Sequence, residues 1–80
     1  MSNEAKSPKE ARDITYCFVD GNGDEQIKHI SDERGGQIGY AIDKYTARVW
    51  IARNTGEETN VFPLDRVVFI REVTRYIPQE

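Results

Sequence analysis

The chain has little of the material from which catalytic sites are usually built. It contains one cysteine and one histidine in 80 residues. A lone Cys17 excludes an intramolecular disulfide, and the Cys or His pairs that mark zinc sites are missing. With His29 the only imidazole, no Ser or Cys has a sequence-legible base beside it, and neither a P-loop nor a G-x-G-x-x-G motif is present. No apolar run approaches the roughly 20 residues of a membrane span, and the first residues lack the pattern of a signal peptide. Positive charge is also short: 11 basic residues face 14 acidic ones, for a net charge of −3. That balance argues against a non-specific polyanion binder and leaves room for a local basic patch. The expectation from these gaps is a protein of the cytoplasm, without membrane association, enzymatic activity, metal or cofactor.

What the chain does have is a succession of short runs with a period of two. Ile14, Tyr16 and Phe18 alternate with Thr15, Cys17 and Val19, which predicts a first strand over Ile14–Val19 with Cys17 as a small core residue. Gln26–Ile30 reads as the next, with His29 a partly exposed strand residue. Ile38, Tyr40 and Ile42 define a third. Thr46–Arg53 is a fourth, placing Ala47, Val49 and Ile51 on one face and Arg48, Trp50 and Ala52 on the other. Glu58–Phe62 is a fifth, joined to the fourth by Asn54-Thr55-Gly56-Glu57, so the stretch from Gly35 to Phe62 predicts a three-stranded meander. Pro63-Leu64-Asp65-Arg66 is too short for an α-helix and predicts one 3₁₀ turn. Val67–Ile70 is apolar on both faces, which predicts a strand deep in a barrel or sandwich and not at an exposed edge. Beyond it, Tyr76 and Ile77 are expected to fold back as a clasp, and Pro78 to end regular structure.

The connections carry their own signals. Asp20-Gly21-Asn22-Gly23-Asp24 opens like a calcium loop, but Glu25 stands where that loop needs Gly and Ser31 where it needs Glu. Asn22-Gly23 is instead a hairpin turn. Gly35-Gly36 supplies the freedom for a sharp bend into the meander. Ser7-Pro8-Lys9-Glu10 has the order of a capping box and predicts one short helical turn through Arg12. The organisation expected is a flexible N-terminal segment over 1–12, a single β-barrel domain over 13–77 and a tail over 78–80. A carboxylate pair such as Asp43 and Asp65 reads as solvated turn residues.

Five or six antiparallel strands in meander order with one 3₁₀ corner resemble the small SH3-like barrels. Residues 36–71 are similar to the Sm-like branch that includes bacterial Hfq. Gly36, Ile38 and Asp43 stand where that family's first motif has a Gly, an aliphatic residue and an Asp, with one extra residue before the Asp. Val61-Phe62 and Val67–Ile70 correspond to its fourth and fifth strands, while its Arg-Gly or Lys-His pair is replaced by Asp65-Arg66. The resemblance implies ring formation through edge strands and binding of single-stranded RNA on a basic, aromatic surface, for which Arg48, Trp50 and Arg53 are the candidates. The acidic composition favours a different role for the same residues, a protein-binding adaptor or regulator acting through a protein partner or through self-association.

Overall fold

The computed structural model describes residues 9–78. It is all-β and antiparallel, with six strands: β1 (Lys9–Val19), β2 (Glu25–Ser31), β3 (Gln37–Ile42), β4 (Thr46–Arg53), β5 (Gly56–Pro63) and β6 (Val67–Ile77). One 3₁₀ turn, Leu64–Arg66, links β5 to β6 as expected. The strands form two sheets of three, in the orders β2-β1-β6 and β3-β4-β5. The predicted meander is the second sheet. A closed barrel is not formed, because among the described residues no strand of one sheet pairs with a strand of the other.

The core lies between the sheets. Ile14 and Tyr16 of β1 face Ile38 of β3 and Val49 and Ile51 of β4, and Phe18, Ile30, Phe62 and Ile70 pack around them. Alternation explains why: successive side chains of a strand leave on opposite faces, so the even-numbered residues of β1 and the odd-numbered residues of β4 meet. The aromatic rings of Tyr16, Phe18 and Phe62 join the sheets at one end, with the Phe18 and Phe62 centroids 4.4 Å apart. At the other end a cation does this work. Arg12, on the same face as Ile14, donates from Nε to Glu72 Oε2 at 2.6 Å and from Nη1 to the Ile38 carbonyl at 3.0 Å.

Three expectations are corrected here. Lys9–Arg12 do not form a helical turn; they pair with Thr74–Ile77 as the first part of β1, while Ser7 and Pro8 of the expected cap lie outside the described residues. One isolated turn has almost no internal hydrogen bonds to set against a complete ladder. Tyr76 and Ile77 do not fold back, since they pair with Glu10 and Lys9. Val67–Ile70 is not buried on both faces. β6 ends its sheet, which leaves Val68 and Phe69 exposed.

The turns follow their chemistry. Asp20 closes the β1–β2 hairpin by accepting the Asn22 and Asp24 N–H groups on Oδ1 and the Gln26 amide on Oδ2, and Gly23 takes the left-handed conformation at φ 86°. Those bonds hold the Asp20 carboxyl below its usual range. Cys17 is buried, and burial pushes its thiol up. It is therefore a core residue, flanked across the ladders by Ile27 and Phe69.

Asp13, buried on β1, accepts from Arg75 Nε and, at 3.1 Å, from Arg75 Nη2, which also donates to Glu33 Oε1 at 2.6 Å. The guanidinium, with the Ser31 hydroxyl, lowers the Asp13 carboxyl from 3.8 to about 2. Because the folded pKa lies below the unfolded one, this stabilisation is complete above about pH 4 and is lost as the pH falls towards 2. The Arg75 side chain is 44% exposed, so screening limits the effect to about 1 kcal/mol. In urea titrations between pH 4 and pH 2, Asp13→Asn is expected to lose stability less steeply than wild type. Identical acid slopes would assign the loss to other carboxylates.

Candidate binding face

The sheet β3-β4-β5 turns the odd-numbered residues of β4 towards the core and the even-numbered ones outward. Trp50 and Arg48 therefore share the outer face. Arg53 does not join them: it has the opposite parity, at the exposed end of β4, and its side chain lies against Gly36. Of the three candidates from the sequence, two are brought together and one is set apart.

Trp50 is half-buried and lies opposite Gly39 of β3 and Thr59 of β5. Its ring covers Gly39 so closely that a Cβ at residue 39 would collide with it. A glycine here is a seat for the indole, which fills the place of the missing side chain on the neighbouring strand. Arg48 lies opposite Ala41 on one side and Val61 on the other, and Val61 is 56% exposed. Pro63 follows on the same face of β5. It leads to a depression of about 490 Å³ lined by Tyr45, Pro63 and Leu64 together with Lys44 and Asp65.

Tyr45 is held in place by the turn that precedes β4. Asp43 Oδ1 accepts the Tyr45 and Thr46 N–H groups at 2.8 and 2.7 Å, which lowers the Asp43 carboxyl, and the Leu64 N–H donates to the Tyr45 carbonyl at 2.8 Å. Asp43 is thereby committed to the turn. The Lys44 ammonium stands 5.5 Å from the Tyr45 ring centroid, and Tyr45 is 71% exposed.

The outer face thus carries an apolar stripe from Trp50 through Val61 and Pro63 to Leu64 and Tyr45. Sequence reasoning located Trp50 and Arg48 through strand parity. It missed Val61, Pro63 and Tyr45, because their place beside Arg48 depends on the register between β4 and β5 and on the 3₁₀ corner. Charge on this face is mixed: Arg48 and Lys44 are accompanied by Glu57, opposite Ala52, and by Asp65.

His29, on β2, lies with Nδ1 3.1 Å from Thr15 Oγ1. Among the described residues no three His, Cys, Asp or Glu side chains gather as a metal ion would require, and no helix is long and apolar enough to cross a membrane. No protein-family model matches the chain, and neither a curated protein nor a solved structure matches it.

Proposed function

We propose that this chain is a small non-enzymatic binding module that recognises a polypeptide partner on the outer face of β3-β4-β5, acting as an adaptor or regulator in the cytoplasm. The observation that carries the reading is the apolar stripe of Trp50, Val61, Pro63, Leu64 and Tyr45. Aromatic anchors surrounded by smaller apolar groups and a few charges of both signs are what protein partners engage. A single-stranded RNA surface in the manner of the Sm-like proteins asks for more positive charge along the stripe, because each phosphate contact needs a cation. Arg53 points elsewhere, and Glu57 and Asp65 oppose a polyanion.

Fluorescence anisotropy with a labelled single-stranded RNA at two salt concentrations separates the two roles. The expected result is no binding even at the lower salt. Tight, salt-sensitive binding that is lost in Arg48→Ala would replace the polypeptide reading by the RNA one. Peptides selected from a displayed library on the immobilised chain should bind wild type, and Trp50→Ala should weaken them by at least about tenfold, as removal of a central aromatic anchor does. Peptide affinities unchanged by Trp50→Ala would place the partner site elsewhere.

A further inference from the structure

Among the described residues four strands end a sheet: β2 and β6 in one, β3 and β5 in the other. Natural proteins blunt such edges with charge or proline, since bare ladder groups template pairing with another chain. β2 carries Glu25 and Lys28, β5 carries Glu57, Glu58 and Pro63, and β6 carries Arg71, Glu72 and Arg75. β3, QIGYAI, has neither a charge nor a proline. We infer that β3 is a self-association edge, and that two copies of the chain pair their β3 strands antiparallel about a two-fold axis at Tyr40. This goes beyond the polypeptide-binding reading, which concerns the outer face of the sheet.

The hydrogen-bond phase of β3 sets the register. The Asp43 N–H donates to the Thr46 carbonyl at 2.9 Å, closing the β3–β4 hairpin with a hydrogen-bonded pair. In an antiparallel ladder such pairs alternate, so Ala41 and Gly39 bond to β4, while Ile38, Tyr40 and Ile42 turn their N–H and C=O groups to the open edge. Centring the two-fold on Tyr40 sets Tyr40 against its counterpart and Ile42 against the partner copy's Ile38. Every outward donor and acceptor of those residues then meets its complement. The Ile38 carbonyl already accepts from Arg12, and a carbonyl oxygen has a second lone pair for the ladder.

Side chains agree with this register. A two-fold axis normal to the sheet keeps inner residues on the inner face, so Ile38, Tyr40 and Ile42 of both copies line one surface. Ile42 is 55% exposed and Tyr40 36% exposed although both share a face with buried Ile38. Pairing covers them with their own kind. A second copy suits this edge: β3 brings no charged side chain to the seam, so two chains of net −3 meet along it without opposing like charges, and the outward groups of Ile38, Tyr40 and Ile42 are their own complement. The closed two-fold contact yields a dimer and not a ring.

Sedimentation equilibrium of the full chain tests the inference, and the expected species is a dimer. Ile42→Lys, which brings a charge to the paired edge at an exposed position, should raise the dissociation constant at least about tenfold while the β-sheet circular dichroism is kept. Tyr40→Cys should give a covalent dimer under mild oxidation, since paired α-carbons about 5.5 Å apart lie within disulfide reach. Buried Cys17 does not compete. Should Ile42→Lys fail to fold, the Tyr40→Cys crosslink decides alone. A wild-type monomer up to about 1 mM, a ring, an unaltered dimer in folded Ile42→Lys, or no crosslink at residue 40 overturns the pairing. A monomer whose peptide binding still depends on Trp50 would remove the self-association edge and leave the polypeptide-binding face standing.

Discussion

Replacing Gly35 and Gly36 together with valine is expected to destabilise the domain by about 2–5 kcal/mol, the sum of two strained positions. The chain leaves the β2-β1-β6 sheet at Ser31 and enters the β3-β4-β5 sheet at Gln37, so these glycines form one of the two covalent links between the sheets. Their φ angles are 102° and 88°, in the region that a β-branched residue avoids most strongly. Gly36 also lacks room, because a Cβ there would press on the Ala52 carbonyl. At Gly35 nothing stands within 4 Å, so only the backbone conformation opposes the side chain. Single variants should therefore rank with Gly36→Val the more damaging. Urea midpoints measure this directly, and a double variant with the wild-type midpoint would show that the bend tolerates side chains.

Gly39→Val is expected to destabilise by about 2–3 kcal/mol for a different reason, overpacking against the indole. Gly39 has no positive φ, so its backbone would accept valine. The space would not. The valine Cβ meets the Trp50 ring, and the ring must lift off β3 into solvent. Two readouts should move together: a lower urea midpoint and a red-shifted tryptophan emission. Adding Trp50→Ala should recover part of the loss, since the clash needs both partners, and the cycle would then be strongly non-additive. Additive effects with unchanged emission would mean that the indole does not rest on Gly39.

Much of the architecture was legible because β-structure leaves a local trace. The boundaries of β4, the β3-β4-β5 meander, the Asn22-Gly23 hairpin and the 3₁₀ corner follow from alternation and turn chemistry, which act over a few residues. The ends of the chain were misread for the converse reason. Lys9–Arg12 look like a capped helical turn, and only pairing with residues more than sixty positions away makes them a strand. The same pairing extends β6 to Ile77.

The candidate site divides along the same line. Parity within β4 placed Arg48 and Trp50 on one face from the sequence alone. The same parity, applied to Arg53, sets it on the other face. Val61 and Pro63 reach that surface only through the β4–β5 register, and Tyr45 only because Asp43 and Leu64 hold its backbone. Arg12 is the plainest case of a residue whose role was hidden: no local pattern marks a cation that joins two sheets through Glu72 and the Ile38 carbonyl.

The sequence by itself determined that this protein is built of short antiparallel strands, which residues of β1 and of β4 share a face, and where the chain turns, since each of these depends on neighbours one to four positions apart; which face turns inward was decided by the packing of the two sheets. Whether the strands close into a barrel was decided only in three dimensions. Closure requires an edge of one sheet to meet an edge of the other; among the described residues no such pairing forms, and the contacts of Phe62 with Tyr16 and Phe18 instead hold the two sheets against each other. For that reason β3, which carries no charge, ends a sheet among the described residues, its outward Ile38 carbonyl accepting from Arg12 and not from a neighbouring strand.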